Sequence, residues 1–211
     1  MAPRPLPTVR RADGQPTRLC LAAALALLLA VPLGAQRGAI VVPQDLGELV
    51  NEAAVIVRGQ VASARVEPHP DLQGLYTVVV TLRVEESLKG DAGPTFTFRQ
   101  FLWDVRDRYN AAGYAKGQHL LLLMIKPNAY GLSSPAGLDQ GRFRILRDAA
   151  GKLRAVNGHG NAALFGELAA RLKSKGVELP PRLAGMLAEP APGPVPLDDL
   201  RELIRRLAGA N

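Results

Sequence analysis

The sequence predicts a mainly β fold: a small antiparallel barrel of about six strands, flanked by a short N-terminal helix and by C-terminal helices. Three observations predict it. Short runs of alternating apolar residues recur between Gly-, Pro- and Asp-rich turns. Helical apolar stripes occur only near the two ends of the chain. The only cysteine, Cys20, lies in the N-terminal leader, so a packed core without disulfides must hold the rest together. An α+β sandwich with helices over one face is the alternative architecture.

The leader comes first. Arg4, Arg10, Arg11 and Arg18 stand against one acid, Asp13, and an apolar run from Leu19 to Val31 follows. Pro32 breaks the run, which closes on Leu33-Gly34-Ala35. A basic segment, an apolar run and a small-residue end read as a secretory signal cut near Ala35. The run is shorter than the roughly 20 apolar residues that a spanning helix needs; an uncleaved anchor is the alternative. Four of the 26 basic and one of the 19 acidic residues lie in 1–35, which leaves 22 against 18, a net charge of +4. That mild charge excludes the footprint of a nucleic-acid binder.

The elements follow in order. Pro43, Asp45 and Glu48 open a helix whose stripe is Leu46, Leu49, Val50 and Ala53. A strand over AVIVRGQVASARVE contains Gly59, which marks a bulge or a close backbone approach. In LYTVVVTLRVEESLKG, Tyr76, Val78, Val80, Leu82 and Val84 share one face, as in a half-buried antiparallel strand. TFTFRQF is the third strand. QHLLLLMIKP is apolar on both faces and so is covered on both sides. RFRILRD and LRAV form a hairpin, with Phe143 and Ile145 inward. FGELAARLKSKG is a short helix ending at Gly176. Residues 177–196 are rich in proline and read as a linker. LDDLRELIRRLAG is an amphipathic helix with Leu200, Leu203, Ile204 and Leu207 inward, and Asp199 and Glu202 at capping-box spacing. The domains are therefore 1–35 signal, 36–176 barrel with flanking helices, 177–196 linker and 197–211 C-terminal helix.

The stretches AAVIVRGQV, VVVTLRVEESLKG, LLLLMIKP, YGLSSPAGLDQGRFRI and AVNG together resemble a group of exported bacterial proteins of unknown function. Those are similar in fold to the oligomer-binding-like barrel of tissue inhibitors of metalloproteinases and netrin modules. The resemblance covers about residues 44–165 and rests on strand patterning and on the Leu88-Lys89-Gly90 turn. The inhibitors chelate zinc through an N-terminal cysteine. A chain beginning at Gln36 has none, so no inhibitory residue carries over.

Catalytic motifs fare poorly. Gly158, Gly160 and Ala163 match G-x-G-x-x-A, but the strand before them belongs to an antiparallel hairpin, and "VELPP" is too short for the second strand of a parallel unit. The stretch reads as a turn into a helix, and no nucleotide cofactor is expected. His69, His119 and His159 do not sit at ligand spacing, so no metal is expected. Ser133-Ser134 lacks the glycine that a nucleophile elbow needs.

Two surfaces remain. The loop from Leu102 to Lys116 is long and holds Trp103, Arg106, Arg108, Tyr109 and Tyr114, residue types that carry interface energy. These are the candidate partner-binding residues; the competing reading is that Trp103 caps the core. Arg142, Arg144, Arg147 and Arg154, with Lys152, line the outward face of the hairpin. They are candidates for contact with an anionic surface or polymer, or a solvated edge that deters aggregation. The expectation is an exported, non-catalytic binding module whose partner is a protein or envelope component, not a nucleic acid. An envelope-associated protein acting through the basic hairpin and an unrecognised secreted hydrolase are the alternatives.

Overall fold

A computed structural model describes residues 42–209. The expected signal segment and its cut near Ala35 lie outside the described residues. The elements are α1 (Leu46–Glu52), β1 (Val55–Pro68), β2 (Tyr76–Lys89), β3 (Thr95–Phe101), α2 (Asp107–Asn110), β4 (His119–Met124), β5 (Arg142–Arg147), β6 (Leu153–Asn157), α3 (Leu168–Ser174), α4 (Pro181–Ala188), β7 (Val195–Pro196) and α5 (Leu197–Gly209). The strands form one antiparallel sheet in the order β3-β2-β1-β4-β5-β6-β7.

Local chemistry sets the elements. Asp45 accepts from the Glu48 N–H at 3.0 Å, and Glu48 accepts from the Asp45 N–H at 2.9 Å, a reciprocal cap that starts α1. Gly59 lies at a register shift between β1 and β2, where a Cβ would collide with the Arg83 carbonyl. Both readings of that glycine hold together: the bulge exists because the backbones approach.

The expected barrel is corrected by where the two halves of the sheet bury their side chains. Val57, Val61, Val78, Val80, Leu82 and Phe98 of β1–β3 share one core. Phe143 and Ile145 of β5 and Ala155 of β6 instead join a second core with Leu49, Leu168, Leu183, Leu200 and Ile204 from the helices. β4 serves both, with Leu120, Leu122 and Met124 in the first core and Leu121 and Leu123 in the second. Each of these fully buried side chains is worth about 2 kcal/mol of transfer free energy. A strand apolar on both faces thus passes from one core to the other. Beyond it the sheet packs on helices and does not return to β3.

At the β3 edge, residues 131–136 bridge only in part. Leu132 meets Arg99 of β3, and Pro135 meets Met124 of β4, as single bridges. The Ser133 N–H donates to the Arg99 carbonyl at 2.8 Å, and the Ile125 N–H to the Ser134 carbonyl at 3.0 Å. No ladder joins β3 to β7 among the described residues.

The stretch expected as a linker contains structure. Pro181 occupies the first turn of α4, and Leu183 and Leu187 are buried. Val195 pairs with Ala155 of β6. Helix α5 then begins at Leu197, earlier than a cap at Asp199 requires. Asp199 therefore sits in the first turn, where its carboxylate meets Arg182 Nε at 2.9 Å. The expected apolar stripe of α5 is buried in the helix core.

Candidate functional site

The loop after β3 is anchored at both ends and exposed between them. Leu102 and Tyr114 are buried. Between them Trp103 is 55% exposed, Val105 66% and Tyr109 89%. Trp103 therefore does not cap the core; its ring meets Phe101 edge-on, with centroids 5.2 Å apart. The Arg108 guanidinium lies 3.5 Å above the ring of Tyr76, which is itself partly exposed. Arg106 folds back onto Asp104, with Nε 2.9 Å from Oδ1, so its charge is used within the loop.

Sheet register brings these side chains to one end of the sheet. Tyr76 opens β2 opposite Pro68 of β1, and Thr77 pairs with Phe101 at the end of β3. Phe101, Trp103 and Tyr76 thus share one end of the sheet. His69 brings a further aromatic to it. Its Nδ1 accepts from the N–H groups of Asp71 and Leu72 at 3.1 and 3.2 Å, which leaves the ring proton on Nε2, 2.9 Å from the Tyr130 carbonyl oxygen. Tyr130, 57% exposed, is held at the same end as the β1–β2 turn.

Sequence reasoning missed Phe101, Tyr76 and Tyr130. Tyr76 reads as inward by alternation, but it is the first residue of its strand, where the core has already ended. The available signal was that Phe101 closes an alternating strand on the polar parity.

Tyr114 leaves the candidate set. It is 3% exposed, its hydroxyl donates to Gln100 Oε1 at 2.9 Å, and its ring meets Phe98 edge-on. Burial pushes its phenol up to about 12, against a smaller opposing pull from Arg142.

Arg142 leaves the anionic-surface set for the same reason. Its side chain is 14% exposed, and its guanidinium donates to the carbonyls of Ala112 and Gly113 at 2.8 Å each. Arg154 is paired with Asp148 at 2.9 Å, and Arg147 donates to the Gly151 carbonyl at 3.1 Å. Arg144 is exposed and makes no ion pair among the described residues. The expected basic face thus reduces to Arg144, Arg147 and Lys152.

The G-x-G-x-x-A stretch forms a tight turn after β6, which is antiparallel to both neighbours. Gly160, Asn161 and Ala163 have φ of 64°, 59° and 60°. Asn161 fixes the turn by donating to the carbonyls of Ala155 and Gly193, at 3.0 and 2.8 Å. No helix among the described residues is long and apolar enough to cross a membrane. No family model, curated protein or solved structure matches the chain.

Proposed function

We propose that the chain is an exported, non-catalytic binding module that contacts a protein or envelope component through the aromatic end of its sheet. One observation carries the reading: Tyr76, Phe101, Trp103, Tyr109 and Tyr130 are all exposed, and register, loop and His69 gather them at one end. Exposed aromatic and arginine side chains grouped at one end of a domain are the usual carriers of interface energy, whereas scattered apolar exposure means little. The mainly β fold with flanking helices is compatible with this role but does not assign it, since fold alone does not assign function.

The test uses the folded chain immobilised against envelope extract, beside the double variant Trp103→Ala/Tyr109→Ala. Both side chains are exposed, so the variant keeps its melting temperature. The reading expects a component retained by the native chain to lose at least about thirtyfold in affinity to the variant, the loss of about 2 kcal/mol that a hot spot carries. Equal retention by both chains overturns it.

A further inference from the structure

Where the sheet fails to close, the seam between β3 and β4 holds a cleft of about 290 Å³. Its apolar wall is built by Val55, Phe96, Phe98, Met124, Ile125 and Pro127. We propose that this cleft is a binding site for a small uncharged molecule whose buried part is an aromatic ring system or a short alkyl chain. The cleft shares the connector that carries Tyr130, but none of the five exposed aromatics lines it.

The wall is braced. The Ser133 hydroxyl donates to the Ile125 carbonyl at 2.7 Å, closing the base of the connector. Asn128 Oδ1 accepts from the N–H groups of Tyr130 and Leu132 at 2.9 and 3.0 Å, which fixes the turn. On the opposite wall Phe96 and Phe98 are in contact, with centroids 5.9 Å apart. Close-packed proteins leave few spaces of this size between apolar side chains. A braced one, near the smaller end of the range of ligand pockets, has the character of a preformed site.

The polar groups decide the ligand class. Arg99, Thr97 and Ser133 also line the cleft. The Arg99 guanidinium is committed to Thr77 Oγ1 at 2.7 Å and to Glu67 Oε1 at 2.8 Å. The Thr97 and Thr81 hydroxyls bond each other at 2.9 Å. With Ser133 also engaged, no side chain of the wall is free to neutralise a charged ligand, and burying an unpaired charge is costly. Size follows from comparison: an apolar cavity of about 150 Å³ holds benzene, so nearly twice that volume accepts a two-ring system.

The experiment titrates the native chain with 6-propionyl-2-(dimethylamino)naphthalene, a neutral two-ring probe whose emission shifts in apolar surroundings. A ligand of this size is expected to bind with Kd on the order of 100 µM. Two cavity-filling variants, Val55→Phe and Phe96→Trp, are expected to weaken it at least tenfold, while Tyr109→Ala leaves it unchanged. Methyl shifts of Val55, Met124 and Ile125 in the unmodified chain locate the probe even if a filled variant fails to fold. Absence of binding by the native chain overturns the proposal. So does undiminished binding by filled variants that melt cooperatively, or methyl shifts confined to other residues.

Discussion

The Arg142 guanidinium lies 4.0 Å over the ring of Tyr114. Its two hydrogen bonds to the carbonyls of Ala112 and Gly113 hold a run of three left-handed residues, Ala111, Ala112 and Gly113, with φ of 49°, 54° and 76°. An alanine in that region costs about 1–2 kcal/mol, so the run persists only where something fixes it. Arg142→Ala is expected to destabilise the chain by about 2–3 kcal/mol, from two charge-assisted hydrogen bonds and one cation–π contact. Denaturant unfolding measures the loss, and amide exchange should show faster opening at 111–114. Arg142→Lys should recover little, because an ammonium cannot replace a planar fork that both stacks and donates twice. Unchanged stability and exchange would show that the loop holds itself.

The buried phenol makes a second prediction. Tyr114 has an ordinary value of 10.0 and a folded value of about 12, raised by burial. A raised folded value means that this stability is complete below pH 10 and is lost as pH rises toward 12. The two-unit difference corresponds to about 2–3 kcal/mol. Unfolding midpoints measured across that window should fall for the native chain and fall less for Tyr114→Phe. Parallel curves would contradict the assignment.

Glu86 of β2 gathers three arginines: Arg58 Nε at 3.2 Å, Arg201 Nη2 at 2.7 Å, and Arg205. Burial raises its carboxyl, but Arg201, Arg205 and Arg58 outweigh burial and hold it below its usual 4.5. A lowered folded value gives stability that is present above pH 4.5 and disappears as pH falls through the folded value. Glu86→Gln should therefore cost about 2 kcal/mol at neutral pH, between the values of exposed and buried pairs. The gap between variant and native chain should close in acid. A gap that stays constant would mean that the charge of Glu86 is not what ties α5 to the sheet.

The glycines after β6 separate two physical causes. A Cβ on Gly158 would stand 2.5 Å from the Asp139 Cβ, and the Gly158 N–H donates to the Asp139 carbonyl at 3.0 Å. Gly160 has open space around it but a φ of 64°. Gly160→Ala should cost about 1 kcal/mol for its backbone conformation. Gly158→Ala should cost about 2 kcal/mol for overpacking. Thermal melts that rank them the other way would contradict this account.

Period and turn chemistry made much of the fold legible. The double-sided run Leu120–Met124 marks the strand covered on both faces, and Gly59 marks the close approach in β1. The open seam was not legible, because alternation reports that a strand buries one face and not which of two cores receives it. Phe143 and Ile145 are inward by parity whether they face a barrel or a helix layer. The linker reading of 177–196 failed to register α4, because proline density hid Leu183 and Leu187 at helical spacing.

The candidate site was half legible. The loop's composition singled out Trp103 and Tyr109, which are exposed. Composition could not separate them from Tyr114, whose burial depends on Phe98 and Arg142, distant in sequence. Outward parity gave Arg142 and Arg144 the same expected role. A half-buried strand end lets one of them turn to the backbone of a neighbouring loop while the other stays in solvent.

The central claim is that the aromatic end of the sheet meets a partner. A photoreactive phenylalanine analogue placed at Tyr109, with a second chain carrying it at Leu146, tests this most directly. Both positions are exposed, but only Tyr109 lies in the patch. Irradiated in the cell that expresses it, the Tyr109 chain is expected to yield a discrete covalent adduct that Trp103→Ala abolishes, and the Leu146 chain none. Equal adducts from both positions, or none from Tyr109, would contradict the account.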